Sequence, residues 1–298
     1  MNDVSQFWTE KLKHLRNVDA NVNIVETPEV LPHTIVYDVC FNSIQDGQIR
    51  GYFLQPVDAI SVPCVIEQQG YMVTISSLYQ YMHWILEGYA VFVYDNRMQG
   101  GRSTDGKYTS YPSGNQPIAF GLMDAHDYYQ GRLYCDAVRA IDIVASLPQI
   151  DKTKIILNGA SQGGALVLAS AALTSQKLFH IFADVPSSSS IPLRIQDGSG
   201  SYHSITEFIK KYPSTESQVL SVQKNFDLIN LVESISAPVS VSVGGKDDVC
   251  PARLFQPVYD KISSNKELYI YPYNGHEGGH HEYLALKLKT LRARLNEQ

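Results

Sequence analysis

Lys154-Ile-Ile-Leu-Asn-Gly-Ala-Ser-Gln-Gly-Gly-Ala-Leu-Val-Leu-Ala-Ser-Ala-Ala172 decides the fold. The apolar run from Lys154 to Leu157 reads as a buried strand and the alanine- and leucine-rich run from Ala165 as a helix; between them Gly159-Ala160-Ser161-Gln162-Gly163 makes a G-x-S-x-G turn. The flanking glycines fit a turn so tight that neighbouring backbone must approach closely. A serine at its tip projects its hydroxyl from the end of a sheet. The amide of Gln162, at the helix N-terminus, then points to where a tetrahedral oxyanion would form. A dinucleotide-binding loop is the competing reading, but it needs G-x-G-x-x-G early in a βαβ unit, which this segment lacks.

Outward from this segment the same alternation continues. Val62 to Ile66, Ala90 to Tyr94, Ile181 to Val185, Val239 to Val243 and Leu268 to Tyr271 are short apolar runs separated by longer helical stretches. Leu133, Ala137, Val138, Ile141, Val144 and Leu147 mark one core-facing helix stripe. Near the start, Thr34 to Phe41 and Ile49 to Leu54 flank the turn Gln45-Asp-Gly-Gln48 and predict an antiparallel hairpin behind an N-terminal amphipathic helix. The expected class is α/β: a mostly parallel central sheet with an antiparallel N-terminal hairpin and helices on both faces. A functional site belongs at the carboxyl ends of its strands. One domain over residues 1–298 is expected, with a helical extension over about residues 1–30, because no linker or repeat interrupts the chain.

Composition narrows the function classes. The chain is 44% hydrophobic and 18% charged, with a net charge of -6 and no basic run, so it offers no electrostatic footprint for nucleic acid or an anionic membrane. No apolar run approaches a membrane span, and the N-terminal residues lack the pattern of a secretory signal. Cys40, Cys64, Cys135 and Cys250 are too few and too widely spaced for a disulfide framework or a paired metal motif, which suits a reducing compartment. The expectation is a cytoplasmic protein.

A serine nucleophile of this kind needs an acid and then a base, each on a loop after a later strand. After Val239 to Val243 comes Gly244-Gly-Lys-Asp-Asp-Val-Cys-Pro251, where Asp247 and Asp248 compete; Asp247 is preferred because the acid sits on the tight turn while its neighbour caps the following helix. After Leu268 to Tyr271 comes Pro272-Tyr-Asn-Gly-His-Glu-Gly-Gly279, which puts His276 where a general base is wanted. His276-Glu-Gly-Gly-His280 also matches the H-E-x-x-H zinc signature. That signature works only when a helix sets both histidines on one face, and two central glycines oppose a helix. No metal and no cofactor are expected.

These residues together resemble the acetyl xylan esterase and cephalosporin C deacetylase family of carbohydrate esterases, which have the α/β-hydrolase fold. The likeness covers Trp8, the hairpin segments Val36-Tyr-Asp-Val and Gln48-Ile-Arg-Gly, Tyr128-Tyr129 with Asp136 to Ala140, and the three turns bearing Ser161, Asp247 and His276. It implies a triad of Ser161, Asp247 and His276, and an oxyanion hole from the amides of Tyr71 and Gln162. The family's Asp-x-x-Cys-Pro pattern also favours Asp247 over Asp248. By the same resemblance Arg97 and Gln99 brace the site, the substrates are small acetylated sugars and cephalosporin C, and residues 106–129 form an oligomer-forming extension that points to a hexamer. Two departures stand out. Met98 replaces a glycine in the family's Arg-Gly-Gln, at a position expected to need close packing, and Pro186-Ser-Ser-Ser-Ser190 replaces apolar and aromatic residues near the acyl pocket. Rival readings are a serine peptidase, which usually carries a gating domain, and a non-catalytic binding protein, which normally loses a triad member.

Overall fold

The computed structural model describes residues 3–108 and 116–296. Nine strands form one sheet: β1 (Asn23–Glu26), β2 (Thr34–Asn42), β3 (Gln48–Pro56), β4 (Val62–Gln68), β5 (Ala90–Tyr94), β6 (Ile150–Ala160), β7 (His180–Asp184), β8 (Val239–Gly244) and β9 (Lys266–Tyr271). Their spatial order is β1-β2-β3-β5-β4-β6-β7-β8-β9. β1, β2, β3 and β5 pair antiparallel, and from β5 onward every pairing is parallel. β5, β7 and β8 are buried along almost their whole length, which is why they read as continuous apolar runs, whereas β2 and β3 mix buried and half-buried positions.

The helices are α1 (Asp3–Asn17), α2 (Met82–Leu86), α3 (Tyr129–Ser146), α4 (Gln162–Leu173), α5 (Ile191–Asp197), α6 (His203–Lys211), α7 (Glu216–Gln223), α8 (Ala252–Lys261) and α9 (His280–Asn296). Two apolar layers sandwich the sheet. One gathers side chains from α1, α3, α4 and α8 and from the insertion between β7 and β8; the other gathers Trp84, Ile85, Tyr283 and Leu291 from α2 and α9. This is the α/β arrangement the sequence predicts. No helix of the described residues is long and apolar enough to cross a membrane.

Two expectations need correction. The N-terminal extension is helical only as far as Asn17, because Asn23–Glu26 forms the edge strand β1, a four-residue strand exposed along most of its length. Helix α3 is buried from Tyr129 to Ile141, not along one stripe, since α1 and residues 116–128 cover its outer side. Of the anticipated extension 106–129, residues 109–115 lie outside the described residues; Ile118, Ala119 and Leu122 pack inward on the chain's own core.

β4 pairs with β5 on one side and β6 on the other, so the connections out of β4 and β6 diverge at their carboxyl ends. In an open α/β sheet such a point is where a crevice forms. Gly70-Tyr71 follows β4, and Ser161 follows β6.

Candidate active site

Ser161 sits between β6 and α4 with φ 59° and ψ −118°, backbone values that L-residues rarely adopt. Its strain is held in place by two bonds to the neighbouring chain: its amide donates to the Asp184 carbonyl (2.9 Å), and its carbonyl accepts the Ser187 amide (3.0 Å). The glycines of the motif answer to contact. A Cβ at Gly163 would lie 2.1 Å from the Gln68 carbonyl oxygen, and one at Gly159 would lie 2.6 Å from the backbone of Gly163. Only glycine lets α4 start directly over the end of β4. The Ser161 hydroxyl reaches the Cys250 thiol, which Arg194 also approaches; burial nevertheless pushes that thiol's pKa up.

The acid and base follow β8 and β9. His276 Nδ1 lies 2.8 Å from Asp247 Oδ2, with the carboxylate fully buried and the imidazole about a third exposed. Asp247 Oδ1 accepts the amides of Val249 (2.9 Å) and Cys250 (2.8 Å). Burial opposes its charge, yet the bonds from His276, Cys250 and Val249 outweigh it and hold the carboxyl below its usual range. Asp248 is exposed and does not cap the next helix, whose N-cap is Pro251. Asp247 itself ties down the turn and is the one of the two aspartates bonded to His276. With Nδ1 taken, His276 presents Nε2 to the cleft. In the H-E-x-x-H stretch, His276 lies in a turn, while His280 opens α9 and packs against His281, so no single helix carries both outer histidines.

Ser161 and His276 line the same cleft, of about 630 Å³, together with Tyr71 and Gln162. At the start of α4 the Gln162 amide has no intrahelical acceptor. The Tyr71 loop and Gln162 are joined by Gln99: its Oε1 accepts the Met72 amide (2.7 Å), and its Nε2 donates to Gln162 Oε1 (2.9 Å) and to the Tyr129 hydroxyl (2.9 Å). The Tyr129 hydroxyl donates to the Arg97 carbonyl (2.5 Å). Arg97 is fully buried and does not line the cleft; its guanidinium pairs with Asp136 and with Asp105 (2.7 Å), and Asp105 is shared with Arg132 (2.9 Å), which also holds Asp127 (2.7 Å). Burial alone would lower the Arg97 pKa, but Asp136 and Asp105 reverse that and keep it charged. Met98, between the two braces, has φ 59° and is 47% exposed. The position asks for a left-handed backbone rather than for space, which corrects the expectation of close packing.

Sequence reading did not single out Gln130, Arg194 or Tyr202, which also line the cleft, nor the contact between Cys250 and Ser161. The Ser187-to-Ser190 run, flagged as a departure, was the one signal that this wall is polar. On the side of α2 and α9, buried Glu67 accepts Trp84 Nε1 (2.5 Å) and Asn158 Nδ2 (2.8 Å), while Lys287 bridges Asn158 and Asp184 at 2.7 Å each.

The arrangement has a hydroxyl on a strained turn, an imidazole bonded to a buried carboxylate and a helix N-terminus beside the hydroxyl, parts that acyl transfer uses. Comparisons with known proteins give the family. The chain is 26% identical over 282 residues to the acetyl esterase Axe7A of Xylanibacter ruminicola, covering 92% of this chain and 63% of that protein, so it spans under two thirds of that relative. The solved acetyl xylan esterase 1 of Thermoanaerobacterium sp. JW/SL YS485 superposes with a TM-score of 0.90 at 27% identity, over 96% of this chain and 92% of that one. The acetyl xylan esterase of Paenibacillus sp. R4 gives a TM-score of 0.90 at 26% identity, over 97% and 95%. The profile of the acetyl xylan esterase (AXE1) family matches residues 1–291, and the chain belongs to that family.

Proposed function

We propose that the chain is a serine carboxylesterase that removes acetyl groups from small acetylated sugars. The observation that carries this reading is the 2.8 Å bond from His276 to buried Asp247 in a cleft that Ser161 shares. Ser161 Oγ attacks the ester carbonyl carbon as its proton passes to His276 Nε2; Asp247 holds the tautomer and stabilises the imidazolium. The amides of Tyr71 and Gln162 receive the oxyanion. The C–O bond to the sugar breaks, the sugar oxygen takes the proton from His276, and water then attacks the acyl-serine to release acetate and restore the hydroxyl.

Family resemblance supports the acetylated-sugar substrate and adds cephalosporin C as a second ester and a hexamer as the assembly, the last read by light scattering. The four free cysteines fit a cytoplasmic setting. The test is acetate release from peracetylated xylose, with cephalosporin C in parallel and Ser161→Ala as control. Release by the wild type and none by the variant supports the reading. Cleavage of peptidyl amides without ester cleavage sinks it in favour of a peptidase.

A further inference from the structure

Helix α9 buries Tyr283, Lys287 and Leu291, spaced about one turn apart on its inner face. Tyr283 and Leu291 join the apolar layer against the sheet, but the residue between them is a cation, 4% exposed. Its Nζ donates to Asn158 Oδ1 and to Asp184 Oδ2 at 2.7 Å each, and lies 4.8 Å from the centre of the Tyr283 ring. Stability alone does not account for an ammonium in this stripe. Taking a lysine and a carboxylate out of water costs about as much as their pairing returns, and apolar side chains of similar volume would hold a helix on a sheet at least as well.

The two acceptors stand where the elbow leaves the sheet. Asn158 is on β6, three residues before Ser161, and Asp184 ends β7, with its backbone carbonyl accepting the Ser161 amide (2.9 Å). The main-chain ladders stop here, at Gln68 opposite Gly159 and at Ala160 opposite Asp184. The next residues on both strands are strained: Ser161 has φ 59° and Val185, a β-branched residue, has φ 38°. Such conformations persist only where the surroundings over-determine them. Side-chain bonds supply part of that support. Asn158 Nδ2 donates to Glu67 Oε2 (2.8 Å), directly opposite it on β4, and Glu67 Oε1 accepts Trp84 Nε1 of α2 (2.5 Å). One line of bonds from Trp84 through Glu67, Asn158 and Lys287 to Asp184 therefore crosses β4, β6 and β7 just below Ser161. Burial pushes the Glu67 and Asp184 carboxyl groups up, and Lys287 opposes that for both. Glu67, Asn158 and Asp184 line the cleft and Lys287 does not, so any effect of Lys287 on the reaction passes through them.

We propose that Lys287 is a positioning residue: by clamping Asn158 to Asp184 it holds the strained turns at Ser161 and Val185 in the conformation that aims the Ser161 hydroxyl. The proposal rests on Ser161 being the nucleophile of ester hydrolysis. Lys287→Met keeps most of the volume and breaks both bonds. The double variant Lys287→Met, Asp184→Leu also breaks the clamp but leaves no Asp184 carboxylate unpaired. Arg292→Met is the control, because Arg292 is on the same helix and bonds Glu87 at the surface (2.6 Å), away from the elbow. Hydrolysis of 4-methylumbelliferyl acetate, the rate at which a fluorophosphonate labels Ser161, and a thermal melt are measured for each. Lys287→Met should lose about 10- to 100-fold in kcat with KM within about threefold, and labelling should slow in proportion. Arg292→Met should keep kcat within about twofold. In the double variant the melting temperature should recover toward wild type while kcat stays low; this variant carries the test if Lys287→Met does not fold. Lys287→Met with kcat near wild type, recovery of kcat together with melting temperature in the double variant, or an equal loss in Arg292→Met overturns the proposal, since each shows that only charge balance or the packing of α9 is at stake. Wild type that labels at Ser161 without cleaving esters removes the esterase reading and leaves labelling rates to decide the clamp; neither label nor turnover removes both.

Discussion

Replacing Gln99 by leucine tests whether one buried side chain sets the oxyanion geometry. Gln99 is 1% exposed and makes three short hydrogen bonds, to the Met72 amide (2.7 Å), Gln162 Oε1 (2.9 Å) and the Tyr129 hydroxyl (2.9 Å). Leucine keeps most of the volume and removes all three. Each bond contributes about 1 kcal/mol net, and leaving the buried Gln162 amide unsatisfied adds to the loss, so roughly 3 kcal/mol of stability should disappear. With an unfolding entropy of about 2.1 cal/mol/K per residue over 298 residues, that loss lowers Tm by about 5 °C. The kinetic effect is separate. Tyr71 is adjacent to Met72, so freeing the Met72 amide loosens one proposed oxyanion donor. Deleting such a donor outright costs about 100- to 1000-fold, and a loosened one should cost about 10- to 100-fold in kcat with little change in KM. Gln99→Glu keeps an acceptor for Met72 but cannot donate to Gln162, and should fall between leucine and wild type. Steady-state hydrolysis of 4-methylumbelliferyl acetate and a thermal melt give both readouts. A leucine variant that melts early but keeps kcat within twofold of wild type would refute the positioning role.

Asp247→Asn should lower kcat about 10⁴-fold by fixing the wrong imidazole tautomer, while Asp248→Asn, at an exposed position, should stay within twofold in the same assay. Met98→Gly relieves a left-handed backbone at φ 59° that costs a non-glycine residue about 1–2 kcal/mol, partly offset by the entropy of an unfolded glycine. Its urea midpoint should rise by the equivalent of about 0.5–1 kcal/mol, and a fall would show that the side chain has a packing role. His180 is buried against Phe182 with its ring 3.0 Å from Ser240 Oγ, and burial holds its pKa down to about 3 from 6.5. The unfolded chain then binds the extra proton below pH 6.5, so this group's stability is present above that pH and is lost as pH falls toward 3. Between pH 7.5 and 5.5 the loss is about 1 kcal/mol. Urea unfolding of wild type and His180→Gln at both pH values should show the difference shrinking in the variant.

The parts of the site legible in the sequence are those written in adjacent residues. The elbow around Ser161, the turn around Asp247 and the Pro-Tyr-Asn-Gly stretch before His276 each carry their signal within a few positions, and the sheet class followed from runs such as Ala90 to Tyr94. Pairing over long separations left no such mark. Arg97 and Arg132 are buried because Asp105, Asp127 and Asp136 surround them, a circumstance that a lone arginine in a sequence does not disclose. Gln130 is in phase with the predicted stripe of α3, two turns before Ala137, but as a polar residue it carries no apolar signal that would mark it as interior. β1 carries no alternation to read, since three of its four residues are exposed and Ile24 is only half-buried.

The cleft thus has two walls with different freedom to change. On the Arg97 side, five charged groups from distant segments are interlocked, and the chain from Tyr129 through Gln99 to Gln162 hangs from them. Substitution there reaches the reacting centre. The opposite wall is a loop and short helix inserted after β7, tied to the rest of the chain by the Ser190 and Ile191 amides donating to the Asp227 carboxylate, by Ser190 Oγ on the Leu254 carbonyl and by Arg194 on the Val249 carbonyl. Most of those ties run through the segment's own backbone amides, so its exposed side chains, such as Leu193, are free to vary while the Ser187 amide goes on holding Ser161 and the chemistry on the other side stays fixed.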